Sequence, residues 1–248
     1  MESIWREEFE IKTYSVDFQQ NIKPSALMEF FQEVASNHAA RLGAGYDALM
    51  ARELFWALSR LTVQIVRLPG CGESILIETW PCGNEGLFFR RDFVVYDKER
   101  NVIIRAVSGW LLLTVSSLRP QRPSLLGIAL PVNTGRKSLE YFPERITALT
   151  DQVAFSKTVA YNEIDQNLHV NNTRYLDWAT DCFQLNHYQQ YTLAEFTLEF
   201  MAETHWGDEI ELRTGKTGMS SDIEAVERLS GATLFKATLT WKSSASCS

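Results

Sequence analysis

A short segment of the chain carries three polar side chains at alternate positions. Asp165, Asn167 and His169 occur in the run IDQNLHV, among apolar residues typical of a loop that packs against a core. In an extended or irregular loop, residues i, i+2 and i+4 can share one face, so we expect these three side chains to converge. A carboxylate, a carboxamide and an imidazole are groups that can activate and orient water. The segment therefore predicts attack of water on a carbonyl carbon.

The polar run leads into a helix-like stretch that begins at Asn171 and Asn172. The first N–H groups of a helix have no partner within the helix and lie at the positive end of its dipole. We expect the two asparagine side chains to cap this helix. We also expect the backbone N–H groups of Asn171 and Asn172 to stabilise an oxyanion.

Each of these residues, taken alone, also has an ordinary structural interpretation. A lone histidine in a loop is commonly structural, an aspartate at a turn commonly accepts a hydrogen bond from its own backbone, and asparagines commonly cap helices. It is their combination in one segment that favours chemistry.

The chain consists of two copies of one unit. VDFQQNIKPSALM resembles IDQNLHVNNTRYL, with Asp17 aligned to Asp165. LSRLTVQIVRLPGCGE resembles LAEFTLEFMAETHWGD, with Thr62 aligned to Thr197. IIRAVSGW resembles LFKATLTW. Three matches in the same order indicate an internal repeat.

The two copies differ at the positions that could do chemistry. Asn21 stands where the second copy has His169, and Leu68 stands where it has Glu203. An acid in place of an apolar residue at a corresponding position is a functional candidate. We therefore expect chemistry in the second copy only, and its predicted catalytic residues are Asp165, Asn167, His169 and Glu203.

Each copy has the same predicted order of elements: a strand, the polar loop, a helix and a series of strands. Pro24 suits the start of the first helix and Gly43 its end. The strand-like runs are rich in β-branched and aromatic residues. This order predicts an α+β fold in which each domain is an antiparallel sheet wrapped around a central helix. The predicted domains are residues 1–130 and 151–248, joined by a linker of residues 131–150.

Composition excludes several classes of protein. With 45% hydrophobic and 22% charged residues the chain is of the ordinary globular type, and a net charge of −7 argues against a nucleic-acid partner. The charged start predicts no secretory signal, and no apolar run is long enough to cross a bilayer. The four cysteines show no C-x-x-C spacing. We expect a reduced cytoplasmic protein with no membrane association, no cofactor and no metal.

At the level of motifs, N-E-I-D-Q-N-L-H-V-N-N-T-R-Y resembles the signature of acyl-acyl carrier protein thioesterases. It also resembles the broader D-x-x-x-H-V-N-N pattern of hotdog-fold thioesterases. The resemblance extends over nearly the whole chain and includes F-W-A-L-S-R-L-T-V-Q-I and T-L-E-F-M-A-E-T. It implies two tandem hotdog domains, of which the N-terminal one holds the acyl tail and the C-terminal one carries the chemistry.

The resemblance also implies roles for individual residues. The family's catalytic Asp, Asn and His fall on Asp165, Asn167 and His169, and a family glutamate falls on Glu203. The next residue, a cysteine in many plant members, is Thr204 here, which argues against a cysteine nucleophile. We expect hydrolysis by water, with Asp165 or Glu203 as general base, His169 assisting and Asn167 orienting the water. Direct attack by Asp165 through an anhydride remains open.

Three other activities remain open from the sequence. The nearest is an acyl-CoA thioesterase. An enoyl-thioester hydratase would show D-x-N-P-x-H, whereas here Leu168 follows Asn167 and His169 comes one residue earlier. A non-catalytic acyl-binding protein would have no need of the polar residues of the second copy.

Two sets of residues are candidates for substrate binding. Large side chains on the first helix and a nearby strand could contact the acyl tail, namely Phe30, Phe31 and Trp56. Acyl carrier proteins are strongly acidic, so a carrier-protein partner requires local basic residues; the candidates are Arg90, Arg91, Arg119, Arg122, Arg136 and Lys137. A homodimer is possible, although a tandem chain already supplies paired folds.

Overall fold

The computed structural model describes residues 3–133, 135–147 and 152–244. The chain divides into two compact units, Met1–Pro143 and Glu144–Ser248. Residues 131–143, assigned to a linker from the sequence, fall within the first unit. Each unit contains five antiparallel strands and two α-helices, so the expected α+β class is confirmed. No helix in the described ranges is both long and apolar enough to cross a membrane.

The first unit contains five strands, two helices and two short 3₁₀ turns. Its elements in chain order are β1 (Trp5–Glu10), a 3₁₀ turn (Thr13–Ser15), α1 (Pro24–Arg41), α2 (Tyr46–Met50), β2 (Leu54–Ile65), β3 (Ser74–Glu85), β4 (Phe88–Tyr96), β5 (Val102–Thr114) and a 3₁₀ turn (Pro123–Leu126). The strand order in the sheet is β1-β3-β4-β5-β2.

The second unit repeats this order of elements. They are β6 (Gln152–Thr158), a 3₁₀ turn (Tyr161–Glu163), α3 (Asn172–Asp181), α4 (Leu185–Gln190), β7 (Tyr191–Phe200), β8 (Glu209–Thr217), β9 (Ser220–Glu227) and β10 (Thr233–Ser243). The strand order β6-β8-β9-β10-β7 is that of the first unit with each strand replaced by its counterpart.

Strand register confirms the internal repeat at the level of single residues. Thr62 pairs with Val107 in the first unit, and Thr197 pairs with Thr238 in the second. Thr62 aligns with Thr197, and Val107 aligns with Thr238. The sequence matches therefore reflect two sheets with the same pairing, not chance similarity.

Helix α1 is the predicted buried helix of the first unit. Pro24 occupies its first turn, where the missing N–H costs nothing, and Gly43 follows its end with a φ of +77°. Leu27, Phe31 and Val34 are buried on one face. Burial of each such side chain contributes about 1.5–3 kcal/mol, which fixes the helix against the sheet.

Helix α3 is its shorter counterpart in the second unit. Asn171 is its N-cap, and the Asn171 side chain accepts a hydrogen bond from the Thr173 N–H at 3.0 Å. Tyr175 packs edge-on against Phe200 and Phe235, which lie on β7 and β10. Capping and aromatic packing thus hold the start of this helix in a fixed place, directly after the polar loop.

Residues 135–143 pack onto the first sheet through a buried polar cluster. The Asp92 carboxylate is fully buried and accepts hydrogen bonds from the Arg90 side chain (2.8 Å) and the Ser138 N–H (2.6 Å). Further along the segment, Phe142 lies against Gly109, where a Cβ would come within 2.5 Å of the ring. Through these contacts residues 135–143 belong to the first unit, which ends at Pro143.

We predict that Asp92→Ala lowers the free energy of unfolding of the first unit by about 3–5 kcal/mol, because it removes the buried carboxylate partner of the Arg90 charge and leaves only the half-exposed Glu85 to pair with it. Denaturant titration followed by tryptophan fluorescence measures this. The matched control is Glu10→Gln, which removes an ion pair to Lys12. The Glu10 side chain in this pair is 54% exposed. The control should change stability by less than about 1 kcal/mol. Equal losses in the two variants would contradict the assignment.

Candidate active site

The polar loop of the second unit, residues 159–171, is shaped by its own backbone hydrogen bonds. The Asp165 N–H donates to the His169 carbonyl at 2.8 Å, and the Leu168 N–H donates to the Asp165 carbonyl at 3.1 Å. Leu168 adopts a φ of +64°, and Ile164 and Val170 form an antiparallel bridge. Asp165 and His169 therefore face each other across a tight turn.

The first unit contains the same turn without the same side chains. The Asp17 N–H donates to the Asn21 carbonyl at 2.8 Å, and the Gln20 N–H donates to the Asp17 carbonyl at 3.0 Å. Gln20 has a φ of +64°, as Leu168 does. The geometry of the turn thus belongs to the fold, and only the side chains distinguish the two copies.

The carboxylate of Asp165 has a structural partner within the turn. Its Oδ1 accepts the Asn167 N–H at 2.8 Å, just as Asp17 Oδ1 accepts the Gln19 N–H at 2.9 Å. This is the Asx arrangement that aspartate commonly makes at turns. Asn167 lies at the exposed tip, and among the described residues no hydrogen bond joins its carboxamide to His169.

Glu203 meets His169 side chain to side chain. His169 Nε2 lies 3.4 Å from Glu203 Oε2, and the two side chains are 33% and 35% exposed. A backbone hydrogen bond from the Val170 N–H to the Thr204 carbonyl, at 2.8 Å, holds the loop against the segment that follows β7. The two groups, which are separated in the sequence by α3, α4 and β7, are therefore neighbours in space.

The same backbone bond occurs in the first unit and supports the alignment of the copies. The Ile22 N–H donates to the Pro69 carbonyl at 2.9 Å. Pro69 thus corresponds to Thr204, which makes Leu68 the structural counterpart of Glu203, as the sequence comparison predicts. The carboxylate is an addition to a framework that both units possess.

His205 belongs to the same group of side chains, although the sequence analysis did not identify it. Its ring meets the His169 ring edge to face at a centroid distance of 4.9 Å. Possible ligand atoms of His169, Glu203 and His205 all lie within 4.8 Å of one another. Comparison of the two copies could have identified His205, because Gly70 stands at its position in the first copy.

Two side chains of the second unit that carry a hydroxyl or a thiol, Thr204 and Cys182, are poorly suited to act as nucleophiles. Thr204, at the position of the plant cysteine, is fully buried and accepts the Tyr175 O–H at 2.9 Å. Burial, together with the carboxylates of the site, raises the pKa of Tyr175 to about 12. Burial likewise raises the pKa of Cys182, at the end of α3, to about 12, which disfavours the thiolate that a cysteine nucleophile requires.

The start of α3 corrects one predicted oxyanion donor. The Asn171 N–H already donates to the Glu163 carbonyl at 2.9 Å, so it is not available to a substrate. Asn172 is the first residue of α3, where N–H groups have no partner within the helix. The predicted donor pair of Asn171 and Asn172 is thereby reduced to Asn172.

Two family models cover most of the chain. The acyl-ACP thioesterase N-terminal domain matches residues 2–123, and the acyl-ACP thioesterase C-terminal domain matches residues 147–243. The chain belongs to the acyl-ACP thioesterase family. The resemblance identified in the sequence is therefore confirmed, and with it the tandem hotdog fold.

Individual relatives agree with the family assignment. The dodecanoyl-[acyl-carrier-protein] hydrolase of Cinnamomum camphora is 27% identical, over 96% of this chain and 68% of that protein. The enzyme of the same name from Umbellularia californica is 28% identical, over 90% of this chain and 62% of that protein. The chain thus spans less than two thirds of the Umbellularia protein. The crystal structure of an acyl-ACP thioesterase from Bacteroides thetaiotaomicron matches with a TM-score of 0.89 at 25% identity, over 97% of this chain and 98% of the other.

A narrow, mainly apolar cleft lies in the first unit of this family member, between α1 and the sheet. Its lining residues are Met28, Phe31, Gln32, Leu58, Leu61, Phe93, Ser108 and Trp110. Of the three predicted acyl-binding residues, Phe31 lines this cleft. Phe30 instead stacks on Phe9 at 4.6 Å, and Trp56 packs edge-on against Phe89 at 4.7 Å.

The basic residues suggested for carrier-protein docking differ in their exposure to solvent. Arg90 and Arg91 are buried, so the structure contradicts their prediction as surface contacts. Arg91 donates to Thr79 Oγ1 at 3.2 Å, and burial lowers its pKa to about 10. Arg136 is partly buried over the Trp80 ring. The exposed members of the set are Arg119, Arg122 and Lys137.

Glu163 holds the polar loop in place through its side-chain contacts. Its buried carboxylate accepts the Ala160 N–H at 2.7 Å and the Trp178 Nε1–H at 2.6 Å, and it also pairs with Lys157. Burial alone would raise the pKa of Glu163, but these donors outweigh it and hold the pKa below the ordinary value of 4.5. The ionised carboxylate therefore stabilises the folded loop.

We predict that Glu163→Gln destabilises the protein by about 1.5–3 kcal/mol at neutral pH, the usual value of hydrogen bonds to a charged group. Because the folded-state pKa of Glu163 is lowered, its contribution is present above about pH 4.5 and is lost as the pH falls through that lowered pKa. The difference in unfolding free energy between wild type and variant should shrink on acidification, as measured by denaturant titration from pH 7 to pH 3. The control Glu209→Gln removes an exposed pair to Arg228 and should have little effect at any pH. A difference that stayed constant with pH would contradict this role of Glu163.

Proposed function

We propose that this protein hydrolyses the thioester of an acyl-acyl carrier protein and releases a free fatty acid. The observation that carries the proposal is the pairing of His169 with Glu203 at 3.4 Å in a member of the acyl-ACP thioesterase family. The first copy retains the turn but has Asn21 and Leu68 at these positions. Both copies have the same backbone framework, but only the second has the acid and the imidazole. We therefore assign the chemistry to the second unit, residues 151–248 in the predicted division.

Hydrolysis requires a base that takes a proton from water, a group that delivers a proton to the leaving sulfur, and a hydrogen-bond donor to the developing oxyanion. In the proposed mechanism Glu203 accepts a proton from water as the water oxygen attacks the thioester carbonyl. His169 hydrogen-bonds this carboxylate, takes the proton on from Glu203 and passes it to the departing sulfur as the carbon–sulfur bond breaks. The Asn172 N–H, at the positive end of α3, stabilises the negative oxygen of the tetrahedral intermediate. Water and thioester are thereby converted to carboxylic acid and carrier thiol.

The structure supports Glu203 over Asp165 as the base. Asp165 Oδ1 accepts the Asn167 N–H, and its counterpart Asp17 does the same for Gln19 in the copy that lacks the acid and imidazole. A structural role in the turn therefore accounts for the presence of the Asp165 carboxylate. Glu203 has no such equivalent and lies against the imidazole. We assign Asp165 to positioning His169, and Asn167, exposed at the tip of the turn, to orienting water or substrate.

The acyl tail is assigned to the first unit, residues 1–130 in the predicted division. The support is the mostly apolar lining of the cleft beside α1, which includes Phe31 and Phe93. The cleft has room for about one water molecule, so an acyl tail enters only when these side chains move apart. Apolar lining with few polar groups is typical of sites that bury a hydrocarbon ligand. The predicted cytoplasmic location and the possible homodimer stay predictions.

Replacement of either member of the pair tests the mechanism. We predict that Glu203→Gln and His169→Ala lower kcat/KM for thiol release by at least roughly a hundredfold, the usual contribution of general acid–base catalysis. Asp165→Asn keeps an oxygen that can accept the Asn167 N–H, so its loss should be smaller than that of Glu203→Gln. Thiol release from acyl-ACP, followed with a thiol-reactive dye, provides the measurement.

The first copy supplies matched controls for these variants. Asp17→Asn alters the equivalent turn, and Asn21→Ala alters the counterpart of His169, so both should leave turnover within about twofold of wild type. Circular dichroism and thermal unfolding verify that each variant is folded. Wild-type turnover in folded Glu203→Gln and His169→Ala would refute the proposed site. Loss of turnover in the controls to the same degree would assign the effects to the fold.

Recognition of an acidic carrier protein should depend on salt. Exposed Arg119, Arg122 and Lys137 are the proposed contacts, and their attraction weakens as the Debye length falls from about 10 Å at 0.1 M salt to about 3 Å at 1 M. We predict that KM for acyl-ACP rises with sodium chloride and that Arg119→Glu raises KM at low salt and reduces this salt dependence. Hydrolysis of acyl-CoA by the same variants, and the control Lys98→Glu on another exposed turn, should change less. A KM independent of salt would contradict electrostatic docking.

A further inference from the structure

His169, Glu203 and His205 form a cluster, here called the His–Glu–His cluster, that has the composition of a metal site. Two imidazoles and a carboxylate are common zinc ligands. Zinc bonds to such ligands are about 2.0–2.2 Å long, so a tetrahedral ion separates ligand atoms by about 3.4 Å. His169 Nε2 and Glu203 Oε2 are 3.4 Å apart, and all three ligand atoms lie within 4.8 Å of one another. Small side-chain rotations would close the remaining gap.

The backbone holds the two ligand segments together. The hydrogen bond from the Val170 N–H to the Thr204 carbonyl joins the residue after His169 to the residue between Glu203 and His205. Glu203 and His205 are two residues apart, a spacing that places side chains on the same side of an extended segment. The site is therefore prepared by the fold and not by a chance approach of mobile side chains.

Asp208 lies beside one of the imidazoles. Its Oδ2 accepts the backbone N–H of His205 at 2.8 Å, and the ring atom His205 Nδ1 lies 3.9 Å away, beyond hydrogen-bond distance. A histidine that ligates a metal typically directs its other ring nitrogen to a carboxylate or carbonyl, which orients the ring. A small rotation that brought His205 Nδ1 into hydrogen-bond distance of Asp208 would leave His205 Nε2 to bind the ion.

Charge and exposure also favour a cation. The carboxylates of Glu203, Asp208 and Asp165 all lie close enough to Tyr175 to disfavour its ionisation, so negative charge converges on this corner of the unit. The cluster is partly exposed, with His205 56% accessible at its side chain, so an ion can enter from solvent. Three protein ligands leave a fourth position for water.

We propose that the His–Glu–His cluster binds a divalent transition-metal ion, with Zn²⁺ as the best-suited ion, and that binding inhibits hydrolysis. Inhibition rests on the proposed function, because the metal would occupy the lone pairs by which Glu203 takes a proton from water and His169 passes it to the leaving sulfur. The first copy has Asn21, Leu68 and Gly70 at the three positions and offers no comparable ligand set. The expected stoichiometry is one ion per chain.

Calorimetric titration of the metal-free full-length protein with zinc chloride tests binding without reference to turnover. A Cys71→Ser, Cys247→Ser background removes an exposed thiol and a thiol near the C-terminus, either of which could bind zinc independently. The expected result is one ion per chain, with His205→Asn reducing the affinity at least tenfold. Magnesium chloride is the matched ion control, because Mg²⁺ prefers oxygen ligands and should not bind here. Absence of zinc binding, or binding unaffected by His205→Asn, would overturn the site.

Thiol release in the same background tests the inhibitory effect. Zinc should inhibit the wild-type protein reversibly, with activity restored by a chelator. His205→Asn should raise the zinc concentration for half-inhibition at least tenfold, with each protein compared with its own rate without zinc. Activation by zinc, or equal inhibition of both proteins, would overturn the proposal of inhibition. If neither protein released thiol, the proposed function would fail, and calorimetry would still decide whether the cluster binds metal.

Discussion

The site depends on one backbone hydrogen bond, from the Val170 N–H to the Thr204 carbonyl. It joins a tight turn, shaped by Asp165, to the chain that leaves β7, and it thereby places His169 beside Glu203. The corresponding bond from Ile22 to Pro69 in the first unit makes the same connection between residues that cannot carry out acid–base chemistry. The fold therefore brings the same two backbone segments together in both units, and the side chains on them determine whether acid–base chemistry is possible.

This separation of framework and chemistry explains why much of the molecule could be predicted from the sequence. The repeat revealed two copies with one element order, and Pro24, Gly43 and Asn171 marked helix ends through conformational and capping preferences that act locally. Glu203 was found because Leu68 occupies the equivalent place. Comparison within one chain acted here as a control for structure, since a residue needed by the fold should recur in both copies.

What sequence reasoning missed lies in contacts between distant residues. Arg90 looked like a surface charge, yet the Asp92 carboxylate and the Leu139 carbonyl accept its hydrogen bonds inside the first unit. Asn171 was expected to offer its N–H to a substrate, but the Glu163 carbonyl accepts it. His205 was overlooked although its counterpart is Gly70. Partners of this kind depend on three-dimensional packing, and neither residue type nor periodicity reveals them.

The central claim is that His169 and Glu203 act as one unit, and a double-mutant cycle on kcat/KM tests it most directly. If the two groups cooperate in one proton transfer, removing either one abolishes the function of both, and catalytic residues that act together are strongly non-additive. The account predicts that the double variant His169→Ala, Glu203→Gln hydrolyses acyl-ACP about as slowly as the slower single variant. Losses that multiply, so that the double variant is slower by the product of the two single effects, would show that the two residues act independently and would contradict it.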